Sequence, residues 1–266
     1  VADVGGCDDL AVATAHVLVF GDSLTFHGPR GPVGLRDPRL YPNILAARLA
    51  RSGFVGAGEI RVDVVARLGW TARDAWWALT KDPVVASVLA PRADALVLAV
   101  GQMDQLPAAV PTYLRDGIPY VRPGSLRRRV RDAYRRAGPV LIRAGGGRMR
   151  QLPQRVTDTY LGRLLQAVRL LAPAGDDLPV VLLGPSPWRS AAYPTRRGHG
   201  PAVVAARTWA AGSGIPMVEL DPLVGPSLAD GSGNPDGLHW SWDAHRLIGA
   251  AAADALIPQG RSIAVR

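Results

Sequence analysis

Three residues far apart in the chain carry chemistry that can be read directly. Ser23 stands in Gly21-Asp22-Ser23-Leu24, just after the apolar run Val17-Leu18-Val19-Phe20. A serine hydroxyl is a weak nucleophile and needs a neighbouring base. Asp236-Gly237-Leu238-His239 lies near the other end of the chain. That spacing puts a carboxylate and an imidazole in one short turn ahead of a helix. His239 can take the serine proton, and Asp236 can hold the imidazole in the required tautomer. Backbone N–H groups just past a strand and at a helix start point into such a site, so Ser23 and Gly69 can each donate to an oxyanion. The chemistry these groups imply is acyl transfer, to water or to another hydroxyl.

The elements that must position them follow from the hydrophobic pattern. Val17–Phe20 reads as a buried strand, Ile60–Val65 as a second, and Ala95–Val100 as a third, ended by Gly101. Pro179–Leu183 and Pro216–Leu220 give a fourth and a fifth. Helices fit Tyr41–Ala50, with Pro42 in the first turn, and Thr71–Leu79, with Thr71 as its cap. Two more fit Pro201–Ala211 and Trp242–Leu256. Strands alternating with helices predict an α/β fold, a three-layer α/β/α sandwich on a mainly five-stranded parallel sheet. Continuous apolar strands agree with a sheet covered on both faces. Ligands in such sheets bind beyond the carboxyl ends of the strands. Those ends carry Gly21-Asp22-Ser23, Gly69-Trp70-Thr71, Gly101-Gln102-Met103-Asp104 and Gly184-Pro185-Ser186. Residues 105–152, rich in Pro, Gly and Arg, form an insertion between the third strand and the next helix. It reads as a lid or binding subregion within a single catalytic domain spanning 1–266.

Composition narrows the class. The chain has 266 residues, 48% of them hydrophobic, enough for a sizeable core without disulfide or metal staples. Its one cysteine, Cys7, excludes an internal disulfide framework and any multi-cysteine zinc site. No run approaches the ~18 apolar residues of a membrane span. No signal peptide is read at the start, and Cys7 lacks the apolar stretch a lipoprotein would place before it, so the expected compartment is the cytoplasm. The five histidines show no ligand spacing, so no metal is expected.

The net charge of +9 is local. Residues 122–150 hold ten arginines and one acid, Asp132, while the rest of the chain balances at 21 against 21. Leu126, Val130, Tyr134, Ala137 and Leu141 fall on one helical stripe with arginines elsewhere, a basic amphipathic helix broken at Gly138-Pro139. Three readings stay open: a solvated face, capture of an anionic substrate, and weak contact with an anionic membrane surface; no nucleic-acid partner is expected, since no recognisable motif accompanies the patch. Gly145-Gly146-Gly147 lacks the context of a P-loop and reads as a lid hinge.

At the site residues the sequence resembles the SGNH, or GDSL, hydrolases. Gly21-Asp22-Ser23-Leu24 matches the first block, Gly69 the second, and Asp236-x-x-His239 the fifth. The resemblance implies Ser23 as nucleophile, His239 as base, Asp236 as acid, and Gly69 as an oxyanion donor. The third block of that family reads Gly-x-Asn-Asp, its Asn completing the oxyanion hole. Here Met103 stands in that place and cannot donate, and losing one such donor typically costs ~10²–10³ in rate. Gln102 is the amide beside it that could turn inward as a substitute.

Further stretches are similar to one branch, the diglucosylglycerate octanoyltransferases. They include Asp37-Pro38-Arg39-Leu40-Tyr41-Pro42-Asn43, Leu68–Trp77, Gly101–Pro107, Tyr120-Val121-Arg122-Pro123 and Gly233–Trp240. Met103 is part of that branch's pattern. The resemblance implies transfer of an octanoyl group from octanoyl-CoA to a sugar hydroxyl of diglucosylglycerate, in methylglucose lipopolysaccharide biosynthesis. No cofactor is consumed; acyl-CoA is the donor substrate. Trp70, Met103, Asp104, Trp240 and Arg122 are the substrate-binding candidates. Trp76, Trp77 and Trp242 share the expected site edge, with core packing as the alternative. Asp104 either bonds the loop carrying His239 or caps the next turn. His245 reads as structural, and His27, four residues after Ser23, as a residue that could face the site. Two other functions compete: hydrolysis of acyl esters by the same three residues, or a binding protein whose oxyanion hole Met103 has disabled. An acyltransferase acting on another glycosylated acceptor is a further alternative.

Overall fold

The structure, a computed structural model, describes residues 13–264, without the side chains of 261–264. Cys7 lies outside the described residues. The chain begins with β1 (Thr14–Gly21), a tight hairpin of β2 (His27–Gly28) and β3 (Gly31–Pro32), then α1 (Tyr41–Ser52), β4 (Glu59–Ala66), α2 (Ala72–Lys81) and β5 (Ala95–Ala99). After β5 come α3 (Thr112–Gly117), α4 (Gly124–Ala144) and α5 (Gln154–Leu171). Then follow β6 (Val180–Leu183), α6 (His199–Gly212), β7 (Met217–Val218), α7 (Asp221–Asp230) and α8 (Trp242–Ala264).

Five strands pair in the order β4-β1-β5-β6-β7, all parallel. The chain order reverses between β1 and β5, so the crevice at their carboxyl ends is the topological switch point where open α/β sheets bind ligands. The strands read as unbroken apolar runs because alternate residues serve two cores. Leu18, Phe20, Leu96, Leu98, Val180 and Leu182 pack with Leu79 of α2, Leu164 of α5 and Ala210 of α6. Val17, Val19, Val97, Val181 and Leu183 pack with Leu45 of α1, Val224 of α7 and Ile248 of α8.

The sequence expectations change at several points. The fifth strand shrinks to Met217–Val218, because it pairs only with β6 at the sheet edge and Leu220 already leads into α7. α7 itself was hidden by Pro222, Gly225 and Pro226, of which Pro222 sits harmlessly in the first turn. And α4 is not broken at Gly138-Pro139: it runs on to Ala144. Proline crowds the Cβ of the residue before it, and glycine has none. Gly138 is also the residue packed against the body, with Ile142.

The buried edge of α4 is therefore turned from the expected stripe, and Leu126 and Leu141 are 45% and 47% exposed. The ends of the 105–152 insertion run side by side. Ala108 N–H donates to Met149 O at 2.8 Å, Gln151 N–H to Leu106 O at 3.0 Å, and Thr112 bonds Gln151. Gly145–Gly147, expected as a hinge, closes the helix: Gly146 N–H donates to Arg143 O and Gly147 N–H to Ile142 O, both at 2.9 Å. Among the described residues no helix is long and apolar enough to cross a membrane.

Candidate active site

The turn after β1 is built for close approach. A Cβ on Gly21 would lie 2.0 Å from the Thr25 hydroxyl, so any other residue here would displace the Thr25 side chain. Asp22 caps the single 3₁₀ turn Ser23–Thr25, its Oδ1 accepting from Leu24 N–H at 2.9 Å. Ser23 is thereby held at the carboxyl end of β1.

The opposing loop is as tightly made. Asp236 accepts from Leu238 N–H at 2.8 Å and His239 N–H at 3.1 Å through Oδ1, and its Oδ2 meets His239 Nδ1 at 2.5 Å. His239 Nε2 then lies 3.0 Å from Ser23 Oγ. Gly237 makes the loop possible. Its φ is +68°, and a Cβ there would sit 2.0 Å from Arg189 O, while its own carbonyl accepts from Arg189 N–H at 2.7 Å.

The electrostatics separate the three carboxyls around these loops. Partial burial works against ionisation of Asp236, but the His239 bond and two backbone N–H bonds outweigh it and hold this carboxyl below its usual range. Asp22 is fully buried and pushed up to about 7 by that burial, with its Oδ2 unpartnered. Asp104, also buried, is pushed up to about 6 for the same reason.

Ser23 and His239 line a cavity of about 230 Å³ whose walls include Leu68, Met103, Leu106, Pro187, Trp188 and Leu238. Gly69 and Met103 both border it, so the expected oxyanion donor and the residue in place of the third-block Asn face the same cavity as the nucleophile. Gln102 corrects an expectation. Its Nε2 donates to Leu183 O at 3.2 Å and Gly184 O at 2.8 Å, and its Oε1 accepts from Ser186 N–H at 2.5 Å. The amide turns inward but is spent fixing the loop after β6, which leaves it no donor for an oxyanion.

Other candidates also move. Asp104 is 2% exposed; it accepts from Ala72 N–H at the start of α2 and from the Thr157 hydroxyl at 2.8 Å, so it caps a helix and does not reach the His239 loop. Trp240, 1% exposed, belongs to the core beneath the site and donates its Nε1 to Ser186 Oγ at 3.0 Å. Trp70 lines a separate groove beside β4 and α2, as does Trp77, which carries Arg73 and Lys81 over its ring. Trp76 packs against the core, and Trp242 lies against Gly28 with Arg39 over its ring. Arg122 is exposed and borders none of these cavity walls. Nearness to the site motifs in sequence suggests a site edge for these five indoles, yet none of them lines the cavity at Ser23.

The wall that sequence reading missed is the loop after β6. Trp188 is buried, donates Nε1 to Tyr193 O at 2.9 Å, and meets the His199 ring edge-on at 5.6 Å. His199 is pinned between Gln105 Oε1 at 2.9 Å and Asp221 at 2.8 Å. The available signal was position: Trp188 follows the carboxyl end of β6 by five residues, on the crevice side of the sheet. His27 is drawn in as well. Its ring stacks on His239 with centroids 4.0 Å apart, and burial with the neighbouring imidazole lowers it to about 4, so it stays neutral. His245 bridges Tyr41 N–H and His27 O, a structural part. Among the described residues no three His, Cys, Asp or Glu side chains converge to hold a metal ion.

A serine, an imidazole and a carboxylate in hydrogen-bonded series at the switch point of such a sheet define a serine-dependent acyl-transfer enzyme, and the sequence falls in with that class. Residues 19–247 match the GDSL-like lipase/acylhydrolase family, and the chain belongs to it. Its curated relatives include the diglucosylglycerate octanoyltransferase of Mycolicibacterium hassiacum, 39% identical over 246 residues, 92% of this chain and 95% of that protein. The diglucosylglycerate octanoyltransferase of Mycobacterium tuberculosis is 37% identical over 251 residues with the same coverage. Among solved structures, the Enterococcus faecalis lipase/acylhydrolase aligns with a TM-score of 0.60 at 19% identity, covering 93% of this chain and 96% of its own. TesA aligns with 0.56 at 18%, covering 92% and 99%. At these identities the structures share the fold.

Proposed function

We propose that this enzyme moves an octanoyl or similar medium-chain group from acyl-CoA to a sugar hydroxyl of a glucosylglycerate-type acceptor, through an ester on Ser23. Ser23 Oγ attacks the thioester carbonyl while His239 Nε2 takes its proton. Asp236 holds the imidazolium that forms, and the N–H groups of Ser23 and Gly69 receive the oxyanion. The C–S bond breaks and the thiolate leaves with the proton from His239. An acceptor hydroxyl then attacks the ester, again giving its proton to His239, and the Ser23 oxygen recovers it as the new ester departs.

The observation that carries this reading is the unbroken series Ser23–His239–Asp236, whose first two members line a largely apolar cavity. The names of the curated relatives supply the acyl group and the acceptor class. Apolar walls such as Leu68, Met103, Leu106 and Leu238 favour a positioned acceptor hydroxyl over bulk water.

Intact-mass spectrometry of wild type and Ser23→Ala with octanoyl-CoA tests it. Wild type alone should gain one octanoyl mass and lose it faster when a glucosylglycerate acceptor is added. Decay at the same rate with and without acceptor would make the enzyme a hydrolase of the same three residues. Absence of any adduct and any turnover would refute the serine route.

A further inference from the structure

Trp188 and Tyr193 have two sides. One closes the cavity over Ser23. The other faces a depression of about 310 Å³ whose rim holds Arg143 of α4 together with Arg189 and Arg196 of the loop after β6. Among the described residues none of these three guanidinium groups makes an ion pair, although ion pairs tie down many other arginines, such as Arg48, Arg92 and Arg207. The acid of the adjoining hollow, Asp221, is bonded to His199 instead. Three like charges around one depression repel one another, and an anion between them relieves that repulsion. A guanidinium fork matches the paired oxygens of a carboxylate or phosphate. Arg189 is also fastened to the catalytic loop, since its N–H donates to Gly237 O at 2.7 Å between Asp236 and His239.

We propose that Arg143, Arg189 and Arg196 form an anion subsite that holds a carboxylate or phosphate of a substrate whose reacting carbonyl or hydroxyl lies over Ser23. This rests on the acyl-transfer reading above, in which both substrates are anionic. The acceptor brings a glycerate carboxylate and the donor brings the phosphates of CoA. The subsite takes the chemistry they share, and neutral analogues separate the two sources.

The test is steady-state kinetics of the folded double variant R189Q/R196Q and of R143Q against wild type. Octanoyl-CoA is compared with octanoyl-pantetheine, and glucosylglycerate with its methyl ester. Hydrolysis of p-nitrophenyl octanoate, which carries no anion, reports the three reacting residues alone. Charge-assisted bonds of this kind are worth about 10–100-fold. R189Q/R196Q and R143Q should each raise KM by at least tenfold for one anionic substrate and leave its neutral analogue within twofold, and R143Q, on a helix away from the catalytic loop, should leave p-nitrophenyl octanoate unchanged. A rise with the acceptor pair assigns the carboxylate, and a rise with the donor pair assigns the phosphates. Equal effects on charged and neutral forms, or no effect on either, overturn the subsite.

If wild type transfers to no acceptor, the proposed function fails and the subsite is read by calorimetry with glycerate and with adenosine 3′,5′-bisphosphate. Binding at least tenfold tighter to wild type than to R189Q/R196Q then upholds it, and equal binding refutes it.

Discussion

Asp236→Asn isolates the tautomer from the architecture. The native carboxylate accepts three hydrogen bonds: Leu238 N–H and His239 N–H on Oδ1, and His239 Nδ1 on Oδ2. Asparagine keeps the shape, and its amide oxygen retains both backbone bonds, so the loop and Gly237 stay where they are. Only the contact at 2.5 Å changes sense. The amide nitrogen donates to Nδ1, the imidazole proton moves to Nε2, and the atom 3.0 Å from Ser23 Oγ becomes a donor in place of an acceptor. His239 can no longer receive the serine proton. A swap of this kind costs about 10⁴ in kcat, near 5 kcal/mol of transition-state stabilisation. Asp236→Ala would confuse the matter by also orphaning two N–H groups. The assay is the burst and steady-state release of p-nitrophenol from the octanoate ester, alongside a thermal melt. A fall of 10³–10⁴ with Tm within about 2 °C of wild type is expected. A fall of less than tenfold in a stable variant would mean that His239 does not depend on Asp236 for its tautomer.

Asp22→Asn should change stability in a pH-dependent direction. Asp22 holds its proton more tightly when folded, at about 7, than when unfolded, at 3.8, so its contribution is full below about pH 4 and is lost as pH rises through 7. By pH 8 the loss is at most about 4 kcal/mol at 1.36 kcal/mol per pH unit. Urea unfolding should therefore find D22N gaining on wild type between pH 5 and pH 8, and a pH-independent difference would contradict the burial argument. Met103→Asn restores an amide beside Gly69 and should raise hydrolysis of the octanoyl-enzyme by tenfold or more, read as adduct lifetime by mass spectrometry; an unchanged lifetime would show that this side chain does not reach the oxyanion. Gly237→Ala meets both a left-handed backbone and the Arg189 carbonyl, and should lower stability by about 2–4 kcal/mol with loss of activity, measured by chemical denaturation.

What could be read from the sequence was what is local. Gly21–Leu24 and Asp236–His239 fold within their own few residues, so type and spacing sufficed for their geometry. The strands were legible because a sheet covered on both faces needs unbroken apolar runs, seen in Leu96–Leu98 and Val180–Leu183. What depended on distant packing was not legible. Gln102 and Asp104 flank Met103 in the third block, yet each is claimed by a partner far along the chain, Gly184 in one case and Thr157 in the other. Trp240 adjoins the base in sequence but points into the core, while Trp188, without a motif of its own, forms the cavity wall. The helix through Pro139 shows the same limit, since the glycine before it mattered more than the proline.

The Asp236–His239 pair and the Ser23–His239 contact differ in how the chain must travel to make them. The first spans three residues and forms wherever its loop forms. The second spans 216 residues and exists only when β1 and the segment leading into α8 have reached the same end of the finished sheet. Closing so long a loop carries an entropy cost that the whole packed domain must offset. Catalysis is thus a gauge of native topology. A collapsed or partly assembled chain with its acid and base already aligned has no nucleophile within reach, and so cannot release acyl groups from their donors before folding is complete.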